Sequence, residues 1–161
     1  MGTESLPPSS SVFISYSSRD RKDAFDIKQL FEANGARVWL DFFDIETSAE
    51  LRQELEKRIR QSQLFCLLLS PNAVDSRWVG QEIATALAAA REGLRILPVI
   101  LRLCRIPQEL ENIVGFDATD GLAHEAVRLR LVRAVCGDAT VQEKLCFWTP
   151  PPGCCWPTRR S

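Results

Sequence analysis

Two periodicities alternate along this chain. Short apolar, β-rich runs occur at Val12-Phe13-Ile14-Ser15-Tyr16, Arg37-Val38-Trp39-Leu40-Asp41, Leu64-Phe65-Cys66-Leu67-Leu68-Leu69 and Arg95-Ile96-Leu97-Pro98-Val99-Ile100-Leu101. They read as strands one to four, with a weak fifth at Gly115-Phe116-Asp117-Ala118. Between them, apolar residues recur at helical spacing. A helix is predicted from Asp20 to Ala33, with Phe25, Ile27, Leu30 and Phe31 on its buried side and Asn34-Gly35 closing it. A second runs from Glu50 to Gln61, with Leu51, Leu55 and Ile59 as its stripe and Ser48 as its N-cap. A third runs from about Ser76 to Arg91 on Val79, Ile83, Leu87 and Ala90, ended by Gly93. A short helical turn at Ile106–Leu110 and a last helix from Leu122 to Val135 complete the set. Pro98 inside the fourth strand implies a bulge or an unpaired position, since proline has no amide to donate.

Strand and helix alternate, and strands three and four are apolar on both faces. Strands buried on both sides belong in a parallel sheet covered by helices above and below. The expected class is therefore α/β, a flavodoxin-like three-layer sandwich with a five-stranded parallel sheet in the order 2-1-3-4-5. Ligands in such sheets sit beyond the carboxyl ends of the strands, at the switch point between strands one and three. Tyr16-Ser17-Ser18 and Ser70-Pro71 line that crevice from its two sides. Residues 1–10 read as a flexible leader, 11–136 as the domain, and the Pro- and Cys-rich 137–161 as a disordered tail.

Composition narrows the chemistry. A formal net charge of -1 gives no whole-chain case for nucleic acid or anionic membrane. No apolar run reaches the roughly 20 residues of a membrane span, and no hydrophobic segment near the start resembles a secretory signal. The expectation is a cytoplasmic protein whose 6 cysteines are reduced thiols. Without a C-x-x-C pair, and with His124 as the only histidine, no metal site is expected. The sequence lacks G-x-G-x-x-G after its first strand, and it lacks a P-loop and G-x-S-x-G. Ser70 at the end of strand three, with Tyr16-Ser17 after strand one, excludes a phospho-accepting receiver domain, which needs acids at both places.

What stands out is Trp78-Val79-Gly80-Gln81-Glu82. On a helix Trp78 and Glu82 share a face, and the apolar stripe is satisfied without either. Glu82 alone reads as a solvated helix residue, and Trp78 alone as packing at a helix start; their pairing beside a buried strand suggests a ligand site.

With these residues in place, the chain resembles a TIR domain. Val12-Phe13-Ile14-Ser15-Tyr16-Ser17-Ser18-Arg19-Asp20 is similar to the family's first box. Val38-Trp39-Leu40-Asp41 is similar to the strand that leads into its BB loop, and Leu67-Leu68-Leu69-Ser70-Pro71-Asn72 to its third strand and exit. Trp78 and Glu82 match the W-x-x-x-E pattern of NAD-cleaving members, bacterial TIR proteins and the axon-degeneration enzyme of animals among them. The resemblance implies an NAD+ glycohydrolase with Glu82 as the catalytic carboxylate. It implies substrate contacts from Trp78, Tyr16, Ser17, Arg19, Asp41 and Glu46. NAD+ is then substrate rather than cofactor. The resemblance also implies self-association with other TIR domains, through a loop carrying Phe42, Phe43, Asp44 and Ile45. Where many relatives have glycine in that loop, this sequence reads Glu46-Thr47-Ser48-Ala49, which restricts its conformations. The competing expectation is a signalling scaffold of the same family without catalysis.

Overall fold

The computed structural model describes residues 10–42, 48–74, 84, 87–88, 92–110, 112–136 and 143–144. The elements are β1 (Ser11–Tyr16), α1 (Arg21–Ala33), β2 (Arg37–Phe42), α2 (Ala49–Gln61), β3 (Leu64–Leu69), α3 (Pro71–Val74), β4 (Arg95–Ile100), β5 (Val114–Asp117), α4 (Glu125–Val135) and β6 (Glu143–Lys144). Single 3-10 turns lie at Ser18–Asp20 and Gln108–Leu110. Of the predicted third long helix, Ala84, Leu87 and Ala88 are described, and they are helical.

The sheet order is β2-β1-β3-β4-β5-β6. The first five strands are mutually parallel, in the predicted 2-1-3-4-5 order. The sixth was not foreseen: Glu143 and Lys144, in the stretch read as a disordered tail, pair antiparallel with Gly115 and Val114.

Alternation along the strands sorts their side chains into two cores. Val12, Ile14, Leu64, Cys66, Leu68, Leu97 and Val99 pack with Ala24, Ile27 and Phe31 of α1 and with Val127 and Leu131 of α4. Phe13, Phe65, Leu67, Leu69 and Ile100 pack on the other face with Leu55 and Ile59 of α2 and with the half-buried Leu87. Phe13 and Phe65 are register partners, and their rings stack with centroids 5.7 Å apart. All six residues of β3 are buried, as a central strand between two helical layers requires.

Pro98 sits in an unbroken register, opposite Leu67. Alternate amides of β4 face β3: Arg95 donates to the Gln63 carbonyl at 3.3 Å, and Leu101, just beyond the strand, to Leu69 at 2.8 Å. The nitrogen of Pro98 therefore faces β5, whose pairing begins only at Val99. Of the two expected accommodations, the unpaired position is the one adopted, and no bulge forms.

Helix ends follow local chemistry. Ser48 caps α2, its hydroxyl accepting from the Leu51 amide at 3.3 Å. Gly35, at φ 93, closes α1 with Gly35 and Ala36 donating to Glu32 and Phe31. Arg95, at the opposite end of β4 from the crevice, donates to the Ala134 and Val135 carbonyls that end α4, where a cation is favoured. Burial lowers its pKa in spite of that favourable setting.

Two predicted core positions are exposed. Phe25 is 46% and Leu51 55% accessible, so α1 rests on Ala24, Ile27 and Phe31, and α2 on Leu55 and Ile59. The helical stripe ends one turn short of the α2 N-terminus. Accordingly, Ile59→Ala should lower unfolding free energy by about 2–5 kcal/mol. Leu51→Ala, drawn from the same sequence stripe, should change it by less than about 0.5 kcal/mol. Urea titrations followed by circular dichroism check both; equal losses would contradict the assigned packing.

Candidate active site at the strand ends

The carboxyl ends of β1, β3 and β4 meet at the switch point of the sheet. Their exits are joined by one buried carboxylate. Asp20 closes the turn after β1, its amide donating to the Ser17 carbonyl at 2.8 Å, and it is 1% exposed. Its Oδ2 accepts from the Ser70 hydroxyl at the end of β3. Its Oδ1 accepts from the Asn72 amide at 3.2 Å and from the Arg102 guanidinium at 3.0 Å. Arg102, two residues past β4, uses its second nitrogen on Asp23 of α1 at 2.9 Å.

Ser70 links this cluster to the chain that follows. While donating to Asp20, its Oγ accepts from the Ala73 amide at 3.2 Å, and its carbonyl accepts from Val74 at 3.1 Å. It therefore caps α3, with Pro71 at the first helical position, where a missing amide does no harm. Sequence reading took Ser70-Pro71-Asn72 as a turn; the structure starts a helix there.

The expected site residues are placed as follows. Tyr16 is 3% exposed and lies in the α1-side core, so it presents almost no surface to a ligand. Ser17 is buried beside it, and Arg19 is exposed on the rim. Asp41 and Phe42 pair through their backbones with Ser15 and Tyr16, which sets the start of the following loop beside the β1 exit. Phe43, Asp44, Ile45, Glu46, Trp78 and Glu82 lie outside the described residues. Trp78 and Glu82 follow Val74, the last residue of α3, by four and eight positions in sequence.

Asp20, Ser70, Asn72 and Arg102 were not singled out from the sequence as a unit. Asp20 stood at the end of the first box and the start of the first predicted helix, and its partners lie 50, 52 and 82 positions away. The one local signal was a Ser-Pro-Asn sequence immediately after a fully apolar strand.

Two surface recesses are lined by described residues. One of about 380 Å³ runs between α1 and the turn before α4, lined by Lys22, Asp23, Asp26, Leu122 and Arg128 among others. The other, about 180 Å³, lies between Trp39 and α2, where Arg58 stacks 5.0 Å above the Trp39 ring. Charges of both signs line each of them. The first shares Asp23 with the Arg102 ion pair, and the second lies along β2 and the C-terminal half of α2. Among the described residues no cluster of three or more His, Cys, Asp or Glu is arranged to hold a metal ion. Nor is any described helix long and apolar enough to cross a membrane.

The chain belongs to the TIR-domain family, whose profile matches residues 12–132. Among characterised proteins it is 28% identical over 94 residues to the 2′ cyclic ADP-D-ribose synthase AbTIR of Acinetobacter baumannii, covering 57% of this chain and 35% of that protein. It is 24% identical over 109 residues to the probable 2′ cyclic ADP-D-ribose synthase TcpO of Methanobrevibacter olleyae, covering 67% and 30%. It is 30% identical over 92 residues to the NAD(+) hydrolase TcpA of a Theionarchaea archaeon, covering 55% and 27%. The match thus spans about a third of the length of these relatives. Among solved structures, the TIR domain of the Toll-related receptor TRR-2 of Hydra magnipapillata superposes with a TM-score of 0.56 at 19% identity, covering 79% of this chain and 95% of that one. The RPS4 and RRS1 TIR domain heterodimer gives 0.59 at 14% identity, covering 80% and 97%. These two share the fold.

Cys104 lies in the α2-side core, and its pKa is pushed up to about 12 by burial first and by the nearby Asp20 charge second. Above the ordinary value of 9.0 the unfolded thiol ionises while the folded one keeps its proton, so stability falls as pH rises from there toward about 12. Cys104→Ala should flatten that alkaline decline by up to about 1.4 kcal/mol per pH unit relative to wild type. Urea midpoints measured from pH 8 upward check this; parallel curves for the two proteins would contradict it.

Proposed function

We propose that this TIR domain cleaves NAD+ between nicotinamide and ribose, giving nicotinamide and ADP-ribose or a cyclised form, in immune or cell-death signalling. The observation that carries this reading is the match to three relatives from different organisms, each named for hydrolysing NAD+ or for making 2′ cyclic ADP-ribose. The W-x-x-x-E spacing of Trp78 and Glu82, soon after the β3 exit in sequence, adds to it.

The chemistry asks little of the protein. The nicotinamide ring of NAD+ is cationic, so the C1′–N bond breaks with its electron pair going to the ring. Nicotinamide leaves neutral, and no general acid is needed. Positive charge then develops on the ribose, where one fixed carboxylate stabilises it and holds the ribose hydroxyls. We assign that carboxylate to Glu82, and Trp78 to the wall against which the nucleotide packs. Arg19 at the rim, and Asp41 and Glu46 on the loop, are the further substrate contacts of this reading. Ser17 and Tyr16 serve from beneath, shaping the floor, because both are buried. Water adding to C1′ and losing a proton gives ADP-ribose; a hydroxyl of the same molecule adding in its place gives a cyclic product.

The loop residues Phe42, Phe43, Asp44 and Ile45 are proposed to mediate self-association that completes the site. A TIR domain acting only as a scaffold would use the same loop and would have no need of Glu82.

Concentrated protein incubated with NAD+ should release nicotinamide, followed by chromatography, with a rate that rises more steeply than protein concentration. Glu82→Ala should reduce release by roughly 100-fold or more. Wild type that releases none, even when crowded, would favour the scaffold. Undiminished Glu82→Ala activity would remove Glu82 from the mechanism, and a rate strictly proportional to concentration would remove the need for assembly.

A further inference from the structure

We propose that Arg102 is a positioning residue for this reaction: by closing the buried Asp20 carboxylate it fixes the β3 exit, from which the chain continues to Trp78 and Glu82. The inference rests on the NAD+-cleaving reading for its kinetic part and on geometry alone for its structural part.

The geometry is a relay of three hydrogen bonds. Arg102 donates to Asp20 at 3.0 Å, Asp20 accepts from the Ser70 hydroxyl, and Ser70 Oγ accepts from the Ala73 amide at 3.2 Å. The last link is the first hydrogen-bonded turn of α3. A serine hydroxyl has one proton, so its donation to Asp20 fixes which lone pair faces Ala73. If the carboxylate moves or is neutralised, that orientation is no longer imposed.

Exposure shows which partner is the removable one. The Asp20 side chain is 0% exposed and that of Arg102 55%. The guanidinium is thus the solvent-side partner of a fully buried carboxylate. Ser70 and Asn72 are neutral donors, and Arg102 is the one cation among the described donors to Asp20. Without it a charge stays buried with two neutral partners, an arrangement that shifts or takes up water. The second arm of Arg102 is held by Asp23 at 2.9 Å, so its charge faces two protein carboxylates. That arrangement suits a brace rather than a phosphate anchor.

A control is built into the same strand. Arg95 at the start of β4 also ties two elements together, but at the opposite end of the strand, through the Ala134 and Val135 carbonyls. Its loss should loosen the fold without touching the crevice.

The test compares Arg102→Met, Arg102→Lys and Arg95→Met with wild type. It reads nicotinamide release against NAD+ concentration, thermal midpoint, and amide hydrogen exchange at Ala73 and Val74. Arg102→Met should lower kcat roughly 10-fold or more, with KM for NAD+ within about 2-fold, because the bound geometry rather than affinity is lost. It should also speed exchange at Ala73 and Val74 by about 10-fold or more. Arg102→Lys, which keeps one cation for Asp20, should recover most of both. Arg95→Met should keep wild-type kcat and wild-type exchange at Ala73 and Val74 while its thermal midpoint falls. Wild-type kcat and exchange in Arg102→Met would overturn the proposal. So would a kcat loss that Arg95→Met reproduces at equal destabilisation, since that would be stability alone. If Arg102→Met does not fold, Arg102→Gln, which keeps a donor without the charge, is read by the same criteria. If wild type releases no nicotinamide, the NAD+ reading and the kinetic role fall together, and exchange at Ala73 and Val74 still decides whether Arg102 holds the β3 exit.

Discussion

One buried carboxylate ties together the strand exits at the crevice side of this domain. Placing Asp20 out of water costs several kcal/mol, by general estimates for buried ions, unless donors replace its hydration. Here the donors come from two strand exits, and the carboxylate sits on a third. Asp20 itself follows β1, Ser70 and Asn72 follow β3, and Arg102 follows β4. Those strands are neighbours in the centre of the sheet. A single charge therefore fixes three loops whose lengths and sequences are otherwise independent. The interaction depends on distance and orientation at once, so no exit can shift without leaving the carboxylate undersatisfied.

The body of the domain supports this arrangement through a different kind of force. Alternation sends one side of β1, β3 and β4 against α1 and α4 and the other against α2. Burial is non-directional and tolerates small sliding, whereas the polar cluster at the rim does not. At the opposite end of the strand, Arg95 ties β4 to the end of α4. The two arginines bracket one strand: one secures the scaffold, the other the crevice. In parallel sheets of this order ligands sit on the crevice side, which is the side Arg102 secures.

Much of this was legible in the sequence, and the reasons are specific. β3 could be read to the residue because Leu64–Leu69 is an unbroken apolar run between polar flanks. Ser48 and Gly35 marked helix ends because capping depends on nearest neighbours in the chain. Strand order followed from alternation of strand and helix. What failed to show depended on contacts between distant residues. Leu51 has the right spacing for the core, but at the α2 N-terminus it is more than half exposed. Asp20 looks like any acid in a polar turn until Arg102, 82 positions later, is brought beside it. Tyr16 was read as lining the crevice, yet its place on the strand turns it into the α1-side core. Glu143 and Lys144 carry no strand signature of their own and pair because β5 offers an open edge. For the candidate site, the sequence pointed to the β1 and β3 exits and missed the cluster that joins them.

The most direct measurement of the central claim is a double-mutant cycle on Asp20→Asn and Arg102→Met, read by urea unfolding at neutral pH. If the carboxylate and the guanidinium act as one unit that ties the strand exits, the double variant should lose far less than the sum of the singles. A coupling of about 1.5 kcal/mol or more is expected, within the range for residues that share one hydrogen-bond network. Additive losses within about 0.3 kcal/mol would show that the two residues act independently, and would contradict the idea that one buried charge ties the strand exits together.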